Sequence, residues 1–481
     1  MFRIFIIHIL ITLTSQNYFL FNDIPQAFED QMIKRFKVRT EDIEGLYSIF
    51  AFINLFTAPI GGYISNRIGY ELASLYYSAV SVFGCILTYC AFPNNKFIWI
   101  IIGRIFYSFW TESVFMNATA MLEKYFRKNG SSLAFSLAFV IYGTIQWISN
   151  TFIPDLLLSS RSLEFPFFIV TMISSIQFFA SFFLYKYFKE KPLDIRKNKY
   201  LDITSKVGSK DQLNNYNTIN LGQSKGNSES LNLNFMTQKK ELDEETKLTW
   251  AHYKTFKPFF WLFFGYYTFV ASTIFSMNGA LTDMFLVKFK YPYAKAKNFI
   301  GIIQLIQTIF MPFFGILLQK FGHKAFAILL CSFFAFLGTL WLLILPPGQS
   351  IQTYMACFIL GLYYSLYNAA TYQSIPMCLP DFSVSLGQGI CAAGQQFTLI
   401  ILPILIGIYS EARTPEAYQS CLYIWLGNSI IGLIFAIILF YVDFTGEKLL
   451  TLPEYDSKVK MLREKKNDEF IRISKMVKIQ K

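Results

Sequence analysis

Residues 58–71 read APIGGYISNRIGYE, and residues 311–324 read MPFFGILLQKFGHK. A proline, a glycine, an amide, a cation and a second glycine follow in the same order in both stretches. These residues are Pro59, Gly62, Asn66, Arg67 and Gly69 in the first stretch, and Pro312, Gly315, Gln319, Lys320 and Gly322 in the second. Every pair is separated by the same number of positions, slightly more than half of the 481 residues. The repeat predicts two copies of one structural unit, as in transporters built from repeats.

The composition indicates a membrane protein. Hydrophobic residues make up 54% of the chain and charged residues only 15%. A helix needs roughly 20 apolar residues to cross the hydrocarbon core of a bilayer, and twelve stretches supply them. The predicted spans are 5–22, 44–64, 72–92, 97–121, 133–156, 166–187, 258–280, 298–319, 324–346, 351–376, 386–409 and 419–443.

The loops between these spans divide the chain into regions. Residues 189–256 are rich in Asn, Ser, Lys and Gln, which predicts a largely disordered linker. The linker separates an N-terminal six-helix half, residues 1–188, from a C-terminal half, residues 257–443. A basic tail follows at 444–481, either as an amphipathic helix on the membrane surface or as a solvated segment.

The net charge of +12 is concentrated in the linker and the tail. Basic segments beside membrane spans favour the cytosolic side and attract anionic lipid. We therefore expect both termini and the linker in the cytosol. The lipid bilayer, and no nucleic acid, is the partner that this charge predicts.

The paired loops resemble the pattern G-x-x-x-D-R-x-G-R-R/K that the major facilitator superfamily carries in each half. The matching residues are Gly62, Arg67, Gly69, Gly315, Lys320, Gly322 and Lys324. The resemblance implies an all-α membrane protein with twelve transmembrane helices in two pseudo-symmetric halves. It also implies that each loop latches its half against a neighbouring helix.

The two latch loops depart from the pattern at its acidic position. Asn66 occupies this position in the first loop and Gln319 in the second, while Tyr70 and Glu71 replace the basic pair. Hydrogen bonds between neutral groups are weaker than charge-assisted ones. We therefore expect latches of neutral hydrogen bonds that open easily.

Five further stretches resemble the lysosomal dipeptide transporters of this superfamily. They are YFLFNDIPQAFEDQ (18–31), GLYSIFAFINL (45–55), GRIFYSFWTES (103–113), FWLFFGYYTFVAS (260–272) and QSIPMCLPDFSVSLGQGICAAGQQ (373–396). The resemblance implies alternating-access transport of small zwitterionic solutes, such as dipeptides or amino acids, in a lysosomal or other endomembrane. It also implies an accessory glycoprotein subunit. A plasma-membrane location remains open.

One departure from this branch bears on the substrate. The branch carries an arginine in its fifth helix for the peptide carboxylate, whereas this chain reads Val140-Ile141-Tyr142-Gly143 there. Either another group binds the carboxylate, or the chain moves a different solute.

Two charged residues, Arg104 and Glu112, lie inside the predicted fourth span. Ionisable residues in a bilayer are costly and are functional candidates by default. Glu112, which is predicted to share a helix face with Ser108 and Thr111, could bind a substrate amino group or a proton, because poor solvation favours protonation. A structural hydrogen bond is the alternative. Arg104 lies roughly 12 Å away along a helix, so we expect it to be a structural clamp or a coupling charge.

Polar side chains recur at helical spacing in the fifth, eighth, tenth and eleventh spans. In lipid such faces must turn inward, where they bond to one another or to a substrate. We therefore predict a polar central cavity in which Glu112 is joined by Tyr142, Gln146, Gln304, Gln307, Tyr364, Asn368 and Gln395.

The sequence lacks the common signatures of an enzyme. It contains no G-x-S-x-G and no phosphate-binding glycine loop, and its 3 histidines are scattered. Without such patterns we expect no catalytic site, no metal site and no cofactor. Uniport or proton-coupled symport of zwitterionic solutes is the leading interpretation. A facilitator of sugars or other neutral metabolites and a non-transporting membrane receptor or scaffold remain open.

Overall fold

The computed structural model describes residues 2–21, 24–126, 131–160, 162–190, 256–380, 383–453, 456, 459, 461, 462 and 465. All regular structure within these residues is helical. We label the twelve long helical segments α1 to α12 in chain order. They are α1 (Phe2–Leu13, then Asn17–Phe21 after a turn), α2 (Thr40–Ile68), α3 (Tyr70–Tyr89), α4 (Ile98–Phe126), α5 (Ser131–Ser160), α6 (Glu164–Glu190), α7 (Pro258–Val287), α8 (Tyr293–Phe321), α9 (Lys324–Ile344), α10 (Ser350–Leu366, a π-helical turn Tyr367–Thr371, then Tyr372–Cys378), α11 (Val384–Ser410) and α12 (Pro415–Thr445). Short helices occupy Ile24–Ala27, Glu29–Phe36 and Ala91–Asn94.

The prediction of twelve helices is confirmed, with bounds that shift by several residues. Ten of the described helices are long and apolar enough to cross a membrane by length and composition. The other two long helices are α4, which contains Arg104 and Glu112, and α10, which its π-helical turn divides into shorter pieces. Helix α4 carries both of the charged residues predicted within a span, and it is one of the two long helices that are not among the ten candidate spans.

The two halves repeat one packing arrangement. In the N-terminal half α4 packs against α2 and α3, while α6 packs against α1 and α3. In the C-terminal half α10 packs against α8 and α9, while α12 packs against α7 and α9. The halves meet mainly through α2 on α11 and through α5 on α8. The internal repeat in the sequence therefore corresponds to a repeated six-helix unit.

The first glycine of each latch loop lies where the halves meet. A Cβ on Gly62 in α2 would lie 2.3 Å from the carbonyl oxygen of Ser385 in α11. A Cβ on Gly315 in α8 would lie 2.0 Å from Oγ of Ser136 in α5. Glycine permits this backbone approach because it has no side chain. We call this end of the bundle, which carries both latch loops, the motif end, and the opposite end the distal end.

The predicted linker and tail are described only in part. Helix α6 continues to Glu190, two residues into the predicted linker, and residues 191–255 lie outside the described residues. Residues 446–453, the start of the predicted tail, fold back against the α8–α9 loop; we call them the tail segment. The carbonyl oxygens of Leu450 and Thr451 accept hydrogen bonds of 2.8 Å from the backbone N–H groups of Lys324 and His323.

The tail segment is also fixed to the end of α12. Asp443 accepts hydrogen bonds from the backbone N–H of Leu450 at 2.9 Å and from the hydroxyl of Thr451 at 2.6 Å. The first N–H groups of a helix have no partner within that helix. The tail segment satisfies such groups at the start of α9, so the fold uses part of the predicted tail as a cap.

We expect Gly62→Ala to destabilise the contact between the halves. Its Cβ would lie 2.3 Å from a backbone oxygen that cannot rotate away, and overpacking of this kind costs about 1–3 kcal/mol. Thermal unfolding of the purified protein should therefore show a lower midpoint. Gly45→Ala in the same helix is the control, because a Cβ there meets no atom within 4 Å. Equal midpoints for the two variants would contradict the assignment.

We expect Gly322→Ala to displace the tail segment. Gly322 has a φ of 73°, and its Cβ would lie 2.6 Å from backbone atoms of Thr451, Leu452 and Pro453. Gly348→Ala is the matched control, since Gly348 has a φ of 85° but no neighbouring atom within 4 Å. Limited proteolysis should cleave the tail faster in the Gly322 variant only. Similar cleavage rates in both variants would show that left-handed backbone strain alone explains the effect.

Candidate functional site

Glu112 lies at the contact between the two halves. The residue is 1% exposed, and its Oε2 accepts a hydrogen bond of 3.0 Å from Nε2 of Gln396 in α11. The hydroxyl of Tyr18, in the second part of α1, is another hydrogen-bond partner of the carboxylate. One partner therefore comes from each half, so the carboxylate joins the halves in this structure.

The neighbours predicted to share a face with Glu112 have other contacts. The hydroxyl of Thr111 lies 3.1 Å from that of Ser81 in α3. The hydroxyl of Ser108 donates to the carbonyl oxygen of Arg104 in its own helix. The prediction that Thr111 shares a helix face with Glu112 is therefore wrong, because Thr111 faces a helix of its own half whereas Glu112 faces α11.

Aromatic rings lie beside Glu112 on its motif-end side. The ring of Tyr18 stacks on Phe115 with centroids 4.9 Å apart. Tyr372 of α10 contacts Phe115 edge-on at 5.3 Å and stacks on Phe139 of α5 at 5.0 Å. We call Tyr18, Phe115, Phe139 and Tyr372 the aromatic cluster. It combines rings from both halves and lies between Glu112 and the motif end.

Tyr142 and Gln146, predicted in α5, are both buried. The Tyr142 ring stacks on Phe19 at 4.7 Å and lies 6.0 Å from Phe115. Its hydroxyl lies 2.6 Å from that of Ser15. Tyr142 therefore extends the aromatic cluster towards α1, and Gln146 follows it by one helical turn.

Gln304 and Gln307 in α8 are 3% and 2% exposed. Their side-chain oxygens have no hydrogen-bond donor among the described residues. Nε2 of Gln307 lies 3.8 Å from the position of a Cβ on Gly143, the residue next to Tyr142. Gln307 of α8 therefore packs against α5 beside Tyr142.

Gln395 precedes Gln396 in α11 and is 1% exposed. Neither its side-chain oxygen nor its nitrogen has a hydrogen-bond partner in the described part of the chain. Gln388 lies seven residues earlier, which places it on the same helix face, and it bonds to Thr119 of α4 at 3.2 Å. The Gln395 amide is thus a buried group on a face that points towards the N-terminal half.

Tyr364 and Asn368 in α10 are buried, but the structure gives them different surroundings. The Tyr364 hydroxyl is bonded to the amide of Asn278 in α7, which is within the C-terminal half. Asn368 lies in the π-helical turn. The role of both residues in substrate binding stays a prediction.

Sequence reasoning missed Gln396, Tyr18 and the π-helical turn. Gln396 lies seven residues after Gly389, whose Cβ would lie 2.5 Å from the Ala58 carbonyl oxygen in α2. That spacing places both residues on one helix face, but only the structure shows that this face meets the N-terminal half. The π-helical turn has no comparable signal, although such turns are frequent at functional sites. It directly precedes Tyr372 of the aromatic cluster.

Arg104 lies near the distal end of α4 and is 1% exposed. Its guanidinium carbon lies 5.0–5.3 Å from the ring centroids of Tyr47, Phe50 and Tyr107. Its Nε donates to the Leu46 carbonyl oxygen at 3.2 Å. Cation–π contacts and a carbonyl bond in a desolvated site stabilise the charge. These contacts with α2 favour the structural clamp, and a coupling role stays a prediction.

The first latch loop contains the expected neutral contacts. Oδ1 of Asn66 accepts a hydrogen bond of 2.8 Å from the Tyr70 hydroxyl. The Arg67 guanidinium lies over the Tyr63 ring at 4.9 Å. Gly69 has a φ of 95°, which allows the sharp turn into α3. These contacts remain within the loop and its adjoining helices.

An ion pair adds to these contacts. The Glu71 carboxylate, at the start of α3, accepts hydrogen bonds from Nζ of Lys124 in α4 at 2.9 Å and from the Tyr125 hydroxyl. The expectation that the latch consists of neutral hydrogen bonds is therefore wrong for this loop. The sequence comparison counted Glu71 only as a lost basic residue and overlooked Lys124 as its partner.

The second latch loop is held differently. Lys320 lies over the Phe321 ring at 5.2 Å, and Gly322 makes the turn into α9. The contact across this loop comes from the tail segment described above. Gln319 precedes Lys320 at the end of α8, and its predicted latch role is not tested by these contacts.

We expect the Glu71–Lys124 pair to behave as a coupled unit. Glu71→Lys and Lys124→Glu each place like charges together and should lower the unfolding midpoint, whereas the double variant should restore it. The coupling should be about 0.5–1 kcal/mol, because the two side chains are 17% and 40% exposed and partly solvated ion pairs are weak.

Glu41→Lys is the control for this cycle. Glu41 pairs with Arg39, and both side chains are largely exposed at 68% and 75%. Its reversal should change the midpoint little. Additive effects of the Glu71 and Lys124 variants would contradict a direct pair.

Comparison with known proteins gives one family. The family model described as Major Facilitator Superfamily matches residues 4–381 and 300–470. The lysosomal dipeptide transporter MFSD1 of Danio rerio is 21% identical over 463 residues, which is 94% of this chain and 89% of that protein. The lysosomal dipeptide transporter MFSD1 of Gallus gallus is 24% identical over 160 residues, 33% of this chain and 35% of that protein.

Solved structures share the same fold. The proton:xylose symporter XylE bound to 6-bromo-6-deoxy-D-glucose matches with a TM-score of 0.67 and 13% identity, covering 95% of this chain and 98% of that one. The human organic anion transporter MFSD10 matches with a TM-score of 0.60 and 11% identity, covering 90% and 98%. At these identities the likeness shows the fold and carries no information on the substrate.

Proposed function

The chain belongs to the major facilitator superfamily of secondary transporters, and we propose that it moves small solutes with an amino group, which Glu112 binds. Dipeptides and amino acids are the leading class. The single observation that carries the proposal is the position of Glu112, whose carboxylate bonds to Gln396 across the contact between the halves. A solute that enters between the halves would contact a group at this position.

The chemistry of the site favours a positively charged group. A carboxylate that is removed from water needs hydrogen-bond donors or a cation to remain stable. Tyr18 and Gln396 supply neutral donors in this structure. A substrate ammonium adds a full opposite charge, and the attraction between opposite charges is strong where water is excluded. The rings of the aromatic cluster add cation–π attraction.

The Glu112–Gln396 contact also links binding to movement of the halves. Its donor and its acceptor belong to different halves, so the hydrogen bond must break when the halves separate. An ammonium group that replaces Gln396 as donor keeps the carboxylate satisfied during that step. Alternating access by rocking of two halves around a midplane site is the motion that such repeats permit.

The similarity to MFSD1 of Danio rerio supports dipeptides as the class to test first. It also supports a lysosomal or other endomembrane location. A cytosolic location of both termini belongs to the same proposal. The accessory glycoprotein subunit stays a prediction that rests on the family resemblance alone.

A second candidate is transport of neutral solutes with Glu112 as a proton carrier. The buried amides of Gln304, Gln307 and Gln395, which lack partners among the described residues, favour it, because amides bind hydroxyl-rich solutes. Uptake that responds to an imposed pH gradient and is inhibited by sugars would select this candidate.

Glu112→Gln should reduce dipeptide or amino-acid uptake in proteoliposomes by roughly 10- to 100-fold, as expected for loss of a hydrogen bond to a charged group. The amide has almost the same shape, so the unfolding midpoint should change little. Glu416→Gln makes the same substitution at an exposed position of α12 and should transport like wild type. Unchanged uptake by the Glu112 variant would refute the role of this carboxylate.

A further inference from the structure

The buried cations of the described residues are engaged away from Glu112. They are Arg104, Lys288 and Lys324, at 1%, 5% and 1% exposure. Arg104 is held by α2 near the distal end of α4. Lys288 donates to the carbonyl oxygens of Leu342 at 2.9 Å and Leu343 at 3.3 Å, at the end of α9.

Lys324 lies at the motif end, where its Nζ is 3.2 Å from the sulfur of Met377. It is the first residue of α9. The groups that act directly on Glu112 are the neutral Tyr18 hydroxyl and Gln396 amide. The part of the chain that the structure describes therefore gives the site one anion and no adjacent cation for a substrate carboxylate.

The amides around the site add more acceptors. The side-chain oxygens of Gln304, Gln307, Gln395 and Gln396 are buried and have no donor among the described residues. A buried acceptor without a donor is costly, and a substrate that brings N–H or O–H groups removes that cost. Each glutamine amide also carries an NH₂ donor, so a carboxylate, which offers only acceptors, can bond to the nitrogens but leaves these oxygens unsatisfied.

One of these amides contacts Glu112, and two others lie in its neighbourhood. Gln396 bonds to Glu112 directly, and Gln395 is its neighbour in sequence. Gln307 packs beside Gly143, next to Tyr142, whose ring lies 6.0 Å from Phe115. Phe115 follows Glu112 by one helical turn. Polar groups of α4 and α11 thus meet between the halves, and Gln307 of α8 approaches them through α5.

We propose that this site selects amines whose far end carries N–H or O–H donors and no carboxylate. The proposal rests on the proposed function, because it assigns the substrate amino group to Glu112. Peptide amides and amino alcohols belong to this class, whereas the carboxylate of a free dipeptide brings no donor to the glutamine oxygens and meets no adjacent cation among the described residues. Gln395 is the specificity-determining residue, since both of its side-chain polar atoms are buried and unpartnered among the described residues.

The test measures uptake of a labelled dipeptide amide by the full-length protein in proteoliposomes. Unlabelled compounds compete with this uptake. The competitors are one dipeptide with a free carboxylate, the C-terminal amide of that dipeptide, and the N-acetylated amide. We expect the amide to inhibit at a concentration at least tenfold below that of the free dipeptide, and the N-acetylated amide to inhibit poorly. Equal or stronger inhibition by the free dipeptide would overturn the proposal while leaving Glu112 as the amine site.

A different result identifies failure of the proposed function itself. If the N-acetylated amide inhibits as well as the amide, the amino group is not recognised. Both proposals are then overturned. The free dipeptide and its amide differ only at the C-terminus, whereas the amide and the N-acetylated amide differ only at the amino group. Comparison of the three competitors therefore distinguishes failure of the far-end preference from failure of the proposed function.

Gln395→Met tests the far-end contact. It removes both polar atoms while keeping a similar volume, so the preference for the amide over the free dipeptide should fall towards unity. Gln395→Asn, which keeps an amide, should retain more of that preference and provides a second variant if the first does not fold. Gln349→Ala, at an exposed position before α10, is the control. An unchanged preference in a folded Gln395→Met protein would overturn the role of Gln395.

Discussion

The close approach of the two halves at the motif end is the constraint on which this structure depends. Gly62 against Ser385 and Gly315 against Ser136 leave no room for a side chain. Membrane helices associate through van der Waals packing of small residues rather than through the hydrophobic effect, so these contacts set how near the halves can come. The Glu112–Gln396 hydrogen bond and the aromatic cluster both require that separation, since each joins side chains from opposite halves.

The two halves share a fold but differ in how the start of their third helix is held. In the N-terminal half Glu71 pairs with Lys124. In the C-terminal half the carbonyl oxygens of the tail segment accept the first N–H groups of α9. An ion pair between side chains weakens with salt, whereas backbone hydrogen bonds do not depend on screening in this way. The contact at the first latch loop is therefore more sensitive to salt than the contact at the second, although the two loop sequences are repeats.

The charges inside the bundle divide into two kinds. Arg104 and Lys288 contact rings and carbonyl oxygens of neighbouring helices, which favours a structural role for both. Glu112 is satisfied only by neutral groups at a contact that must open during transport. Since isolated buried charge is costly, this difference in partners is why we propose Glu112 as the group that binds a substrate. The neighbouring amides of Gln395 and Gln396 add both donors and acceptors to this region.

The sequence by itself determined the membrane class, the twelve helices and the two-fold repeat, and it singled out Glu112 as a candidate. These follow from apolar length, residue spacing and the cost of charge in lipid. Only the tertiary structure decided the partners: Gln396 and Tyr18 for Glu112, Lys124 for Glu71, and residues 446–453 for the second latch loop. Spacing along one helix shows which residues share a face. It does not show which distant helix that face meets, because packing of the whole bundle sets those contacts.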